Sequence, residues 1–236
     1  KESLKDISPG ATNLIVLPEM FNTGFSMNAT LLAEQMGQKS MLFLAEIAAE
    51  KNCDVTGSLI IDEGGKYFNR LIWMRPDGTY EYYNKRHLFR MGNEDKVYSA
   101  GTEKIIMDLN GWRILPLICY DLRFPVWSRN RNDYDILIYV ANWPERRSYA
   151  WKQLLIARAI ENLCYVVGVN RVGEDGNGIS HSGNSMLLDF KGESIAGAKE
   201  AIPTVITKAL KYDDLLQFKT AFPVYMDADN FTLETE

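Results

Sequence analysis

"EKIIMDLNGWRILPLICYDLRFP" (residues 103–125) is the stretch on which the fold reading turns. Two β-rich runs, 103–109 and 112–120, are joined by Asn110-Gly111, the dipeptide favoured in two-residue hairpin turns. The second run is apolar almost throughout, as in a strand covered on both faces. It ends on a lone cysteine, Cys119, and polar residues crowd in at once: Tyr120, Asp121 and Arg123, before Pro125. A buried cysteine is ordinarily a small hydrophobe. Cys53 and Cys164, at strand starts among apolar neighbours, fit that description. Cys119 instead stands where a strand opens into a polar turn, a place where a nucleophile meets a substrate.

Outward from this hairpin, strands and helices alternate irregularly. The runs 13–18, 53–61, 66–76 and 79–85 read as strands on the N-terminal side. On the C-terminal side the strand candidates are 135–142, 164–172, 184–190 and a weaker one at 203–208. Apolar residues at helical spacing predict helices over 40–52 and 148–163, the latter with Ser148 as N-cap, and a C-terminal helix over 211–218. Ser-Arg-Asn-Arg after Pro125 predicts a short helix. This order is neither all-parallel nor pure β, and two sheets face to face under outer helices would suit it. Residues 86–101 form a long polar loop, a length often used for function.

The bulk numbers narrow the function classes. With 236 residues the chain suffices for one large domain. Hydrophobic residues are 46% and charged residues 24%, an ordinary globular balance. The net charge of −5 leaves no basic face for nucleic acid. No apolar run reaches the roughly 18–20 residues that span a bilayer. Three widely spaced cysteines do not make a disulfide framework and point to a reducing compartment. With two histidines and no CxxC, a zinc site is not expected.

A cysteine nucleophile needs a base and a charge environment that favours the thiolate. His181, in a Gly-rich loop, is one candidate base. "LPEMF" puts Glu19 just past a buried strand, and "YNKRHLF" puts Lys85 at the end of another. Either residue alone reads as a surface charge at a strand terminus. Three strands each ending on a chemically competent residue make a stronger pattern.

"LPEMF", "YNKRHLF" and "ICYDLRFP", in that order, resemble the Glu, Lys and Cys motifs of the nitrilase superfamily, the carbon–nitrogen hydrolases. Residues 139–173, with "FNTGFSM" and "FPVYMDADNFTL", resemble its omega-amidase branch. The resemblance implies a four-layer αββα sandwich, a single domain over 1–236 that lacks its first strand and most of its first helix. It implies hydrolysis of the amide of a small 2-oxo acid monoamide, of the 2-oxoglutaramate or 2-oxosuccinamate type, through a cysteine thioester. Cys119 would be the nucleophile, Glu19 the base and then acid, and Lys85 with the Tyr120 backbone N–H the oxyanion donors. A second loop glutamate falls on Glu94, with Asp95 as the neighbouring choice. Arg123 would hold the substrate carboxylate, with Arg146 and Arg147 as alternates and an Arg123–Asp121 ion pair as the plain structural reading. Asn142, Trp143 and Phe25 would border the pocket, or simply pack. The resemblance implies no metal or organic cofactor, no nucleic-acid or membrane partner, and a cytoplasmic homodimer acting on a small amide and water. Other carbon–nitrogen substrates (a nitrile, a carbamoyl amine, another amide) and a catalytically silent binding subunit stay open.

Overall fold

The computed structural model describes residues 2–234 and resolves the expected alternation into two main sheets. The first contains β1 (Leu14–Val16), β2 (Asp54–Glu63), β3 (Lys66–Met74) and β4 (Tyr80–Asn84) in sequential order. β1 is parallel to β2, and the remaining pairs are antiparallel. The second sheet is built from β5 (Met107–Leu109), β6 (Trp112–Ile118), β7 (Ile136–Ala141) and β8 (Tyr165–Asn170). A two-stranded excursion, β9 (Val172–Glu174) and β10 (Ser180–Ser182), precedes β11 (Met186–Leu188) and β12 (Ser194–Gly197), giving the order β12-β11-β8-β7-β6-β5. β6, β7 and β8 are mutually parallel, and the other pairs of this sheet are antiparallel.

Among the described residues six helices accompany the sheets: α1 (Ala29–Leu32), α2 (Lys39–Lys51), α3 (Glu94–Val97), α4 (Pro125–Ser128), α5 (Ser148–Asn162) and α6 (Tyr212–Ala221). The period-2 alternation of β3 explains the layering. Its Leu71 and Trp73 pack with the second sheet, while Ile72 and Met74 pack with Met41, Leu44 and Ile47 of α2. On the far side, Trp151, Leu155 and Ala159 of α5 cover β8. There Gly168 is required, since a Cβ would meet Leu155 at 2.5 Å. The layers therefore run α2, sheet, sheet, α5, the expected αββα sandwich.

The hairpin of residues 103–125 forms as expected, but β5 is only its last part. Asn110 (φ 53°) and Gly111 (φ 83°) both take the left-handed values that a two-residue hairpin turn demands. Four expectations need correction. Residues 203–208 are not a strand; after the turn at 191–192 the chain pairs immediately as β12, and the β-branched Ile202 and Val205 stay half exposed. The expected strand 164–172 breaks into β8 and β9. The short helix occupies Pro125–Ser128 rather than residues 128–131, because proline suits the first helical position. Ser148 is the first residue of α5 and not its cap, since the 3-10 turn Glu145–Arg147 runs straight into the helix and leaves no extended residue there.

β1 is the last strand of its sheet, and beside it a cavity of about 1130 Å³ opens between the sheets, lined by Leu14, Val16, Ile114, Ile138 and Val167 among others. Among the described residues no helix is long and apolar enough to cross a membrane.

Candidate active site

Three strand ends converge on one buried cluster. Glu19 lies three residues past β1, Lys85 directly follows β4, and Cys119 directly follows β6. The turns at Glu19, Glu94 and Cys119 use backbone that L-residues seldom adopt. Met20 (φ 42°) follows Glu19, Asn93 (φ 59°) precedes Glu94, and Cys119 itself sits at φ 42°. Such conformations cost about 1–3 kcal/mol each and persist only where the surroundings hold them. Here the holding bonds are visible. The Met20 N–H donates to Ser58 Oγ (2.8 Å), and the Phe89 N–H donates to Glu94 Oε2 (2.6 Å).

Asp121 holds the cysteine turn. Its Oδ2 accepts the Ile118 N–H (3.0 Å) and the Tyr83 hydroxyl (2.8 Å). Its Oδ1 accepts the His87 N–H (2.9 Å) and lies 2.8 Å from His87 Nδ1. One fully buried carboxylate thus ties the Cys119 turn to the segment on both sides of Lys85. This rules out the Asp121–Arg123 ion pair: Asp121 spends its acceptors on the lysine segment.

At the centre, Lys85 Nζ donates to Glu19 Oε1 (3.0 Å) and to both Glu94 oxygens (3.0 Å each). All three side chains are essentially inaccessible. Burial alone pulls an ammonium's pKa down, but the Glu19 and Glu94 carboxylates outweigh it and raise that of Lys85 above the usual lysine range. Burial pushes Glu94 upward, opposed by Lys85 and reinforced by Glu19. Burial also pushes the Cys119 thiol well up, and the facing Glu19 carboxylate adds to this while Lys85 opposes it. Glu19 is thus the carboxylate that faces the Cys119 thiol. Tyr120, second residue of the 3-10 turn Cys119–Arg123, leaves its N–H without an intrahelical acceptor.

The other sequence candidates fall into distinct places. Asn142 does more than border a pocket: its N–H donates to Glu19 Oε2 (2.8 Å) and its Nδ2 to the Glu19 carbonyl (2.6 Å). Phe25 lies under the Lys85 ammonium, 5.4 Å from ring centroid to Nζ, and meets Phe89 edge-on. Trp143 is buried and donates from its indole to the Arg147 carbonyl (2.9 Å). Arg123 is exposed and lies over the Trp143 ring at 5.0 Å. Asp95 faces outward toward Arg90, so Glu94 is the loop acid that enters the cluster. His181 is buried on β10, and none of its described contacts reaches Cys119. Arg146 is exposed, whereas Arg147 is half-buried over Phe89.

Sequence reasoning missed Asn69. Fully buried on β3, its Nδ2 donates to Glu19 Oε1 (2.8 Å) and Glu94 Oε1 (3.3 Å), bridging the two acids. The available signal was a polar Asn69-Arg70 pair inside a strand whose other central residues are apolar.

A family model described as carbon-nitrogen hydrolase matches residues 1–220. The chain is 47% identical over 222 residues to omega-amidase YafV of Escherichia coli (strain K12), covering 94% of this chain and 86% of that protein. It is 32% identical to a 2-oxoglutaramate amidase of Bacillus subtilis (strain 168), over 91% of this chain and 84% of that one. Among solved structures it superposes with a TM-score of 0.94 on XC1258 from Xanthomonas campestris, a CN-hydrolase superfamily protein with an arsenic adduct in its active site. That match is 43% identical and covers 96% of this chain and 88% of the other.

Proposed function

Because the chain belongs to the carbon-nitrogen hydrolase family, we propose that it hydrolyses the amide of a small 2-oxo acid monoamide, of the 2-oxoglutaramate or 2-oxosuccinamate type, to the acid and ammonia. The observation that carries the site assignment is the closed arrangement of Glu19 and Glu94 around Lys85, facing a cysteine on a held turn. The likeness to omega-amidases over nearly the whole chain supports the substrate class.

In this reading Glu19 takes the Cys119 thiol proton as sulfur attacks the amide carbon. The developing oxyanion is met by the Lys85 ammonium and the Tyr120 N–H. Glu19 returns the proton to the departing nitrogen, ammonia leaves, and a thioester remains on Cys119. Water then attacks the thioester as Glu19 takes its proton, the C–S bond breaks, and the acid departs with the thiol restored. Glu94 fixes Lys85 through both its oxygens, and Asn69 and Asn142 aim Glu19. These groups supply the attack, the proton transfers and the oxyanion contacts.

We read the chain as one hydrolase domain, since residues of both sheets share a hydrophobic core. The same proposal includes a cytoplasmic homodimer. Support comes from three free cysteines and from apolar side chains left exposed on α5 and toward the C terminus, such as Tyr149, Ile160, Leu216 and Phe222. Sedimentation tests the dimer. The activity is tested by ammonia release from 2-oxoglutaramate, with Cys119→Ser as control. Release by the parent alone is expected. No release by either, with Cys119 still alkylated by iodoacetamide, overturns the substrate assignment and turns the search to nitriles, carbamoyl compounds and other amides.

A further inference from the structure

Beside the Cys119 turn lies a buried polar group that the reaction scheme above does not use. The Asp121 carboxylate is fully buried, and the chain supplies it with donors from both sides. The Ile118 N–H and the Tyr83 hydroxyl reach Oδ2, while the His87 N–H reaches Oδ1. The His87 ring completes the set, with Nδ1 2.8 Å from Oδ1. An oxygen that already takes an N–H is an acceptor, so ring Nδ1 presents its proton to it. Together these donors fill the roughly four lone-pair sites that a carboxylate offers.

His87 is joined to the same turn a second time, through the face of its ring. It lies flat on Phe124, 3.8 Å between centroids and 6° between planes, and edge-on to Trp127 at 6.1 Å. Phe124 closes the 3-10 turn Cys119–Arg123 and meets the Tyr120 ring at 5.1 Å. Trp127 donates its indole N–H to the Tyr83 hydroxyl (3.0 Å), and that hydroxyl also accepts the Arg86 N–H (3.1 Å). The two backbone N–H groups that follow Lys85 therefore hang on Asp121 and on its partner Tyr83. One side chain, two residues past Lys85, holds the Asp121 carboxylate by its edge and the end of the Cys119 turn by its face.

The place of this grip matters for the chemistry. Cys119 sits at φ 42°, a backbone value that persists only where the surroundings hold it. The bond from the Ile118 N–H to Asp121 is the one that adjoins it on the strand side. A buried carboxylate short of a donor is costly and turns toward the donors that remain. Loss of the Nδ1–H thus loosens the strand end that aims Cys119. A misplacement of about 1 Å at reacting groups can lower a rate about 10²-fold. Packing on Phe124 would need only a flat ring, and any aromatic residue would serve.

We propose that His87 is a positioning residue: through its Nδ1–H on Asp121 it locks the Cys119 turn to the segment that carries Lys85, and so sets kcat while acting through Asp121 rather than on the substrate. The inference rests on the amidase reading above, in which Cys119 and Lys85 act on one carbonyl group. The ring is partly exposed whereas Asp121 is not, so His87 is the member of the pair that can be exchanged without opening the core.

The test separates the edge of the ring from its face. His87→Phe keeps the flat stacking on Phe124 and deletes the donor. His87→Asn deletes the ring and puts an amide N–H near the place of Nδ1. Each is assayed for ammonia release from 2-oxoglutaramate, with kcat counted per Cys119 that iodoacetamide labels, and for the rate of that labelling. In His87→Phe, kcat should fall roughly 10–10²-fold, the loss of a hydrogen bond to a charged group, with KM within about threefold of the parent. Labelling of Cys119 should slow in the same variant, because sulfur moved off Glu19 loses its base, and His87→Asn should recover most of both. The parent's kcat per labelled cysteine in His87→Phe, or no recovery in His87→Asn, overturns the inference and leaves the amidase reading intact. A parent that releases no ammonia overturns the amidase reading, and the labelling rates then decide the inference. Slower labelling in His87→Phe with recovery in His87→Asn upholds it, and equal rates in all three proteins overturn it. Should His87→Phe fail to fold, His87→Ala against His87→Asn reads the same donor.

Discussion

The Glu19–Lys85–Glu94 cluster and the Arg123–Arg147 corner are both charged and both adjoin Cys119, yet they are built in opposite ways. In the first, a buried ammonium has its three N–H donors matched by carboxylate oxygens at 3.0 Å. In the second, two guanidiniums rest on aromatic faces and have no acidic partner among the described residues. The closed cluster is costly to disturb, because removing one partner strands a charge out of water. The open corner is cheap to disturb in the folded protein, because its cations are still partly hydrated. A site that must perform the same proton transfers on every turnover suits the closed form. A site that must accept and release a ligand suits the open one.

The largest break in this comparison is Cys119→Ala. Turnover should fall by about 10⁴-fold or more, the scale seen when a nucleophile is removed. The thermal midpoint should move little, since alanine retains the Cβ at that backbone position. Activity near that of the parent would remove Cys119 from the mechanism. Lys85→Ala comes next and strikes the closed cluster itself. On the proposed role of Lys85 as an oxyanion donor, kcat should fall by about 10²–10³. It also leaves two buried carboxylates facing each other, a destabilisation of about 3–5 kcal/mol by urea titration. A loss of rate below about tenfold would show that Lys85 is only a structural cation.

Protonation sharpens the same point. The carboxyl of Glu94 is raised above its ordinary 4.5 by burial first, against the pull of Lys85. A folded-state pKa above the unfolded one contributes stability below the unfolded pKa, and that contribution is lost as pH rises through the folded value. The parent should therefore lose stability relative to Glu94→Gln as pH climbs from about 4.5. Denaturation midpoints of the two proteins across this range check it, and parallel curves would mean that Glu94 titrates as it does in water. Asn69→Ala tests the bridge between the acids. Removing donors to two charged oxygens is worth about 1.5–3 kcal/mol, read as lost stability together with about tenfold or more in kcat/KM. Rescue by Asn69→Gln in the pH profile, if the longer amide reaches both oxygens, would mark positioning rather than packing.

The closed cluster was legible in the sequence, whereas the open corner was legible only as a set of alternative arginines, for a physical reason. Glu19, Lys85 and Cys119 each end a strand, and strand ends are marked by hydrophobic runs that stop abruptly. Glu94 was placed by resemblance, and α3 brings it in with Asp95 turned outward. The two sheets followed from element order, because hairpins and buried runs are local signals. What escaped depends on contacts far apart in the chain. Asn69 meets Glu19 across 50 residues, and Asp121 meets His87 across 34. The weak strand at 203–208 failed for the same reason, since β-branched residues announce a preference while the ladder partner decides. Arg123, with Arg146 and Arg147 as alternates, was named from the sequence without its surroundings. In the folded chain the 3-10 turn Cys119–Arg123 leaves Arg123 exposed, and the turn Glu145–Arg147 brings Arg147 onto Phe89.

The smallest expected effect is the stability of Arg147→Ala, and it tests the comparison from its other side. The start of α5 is held by the Arg147 backbone through Trp143 and Pro144, and the guanidinium makes no cap. What the side chain gives the fold is its stacking on Phe89, worth about 0.5–1 kcal/mol at a partly exposed site. Urea titration of Arg147→Ala should therefore show a loss of no more than about 1 kcal/mol, several-fold below that of Lys85→Ala. A loss as large as that of Lys85→Ala would mean that the Arg147 charge is already compensated within the fold, and the corner would no longer count as open to a ligand.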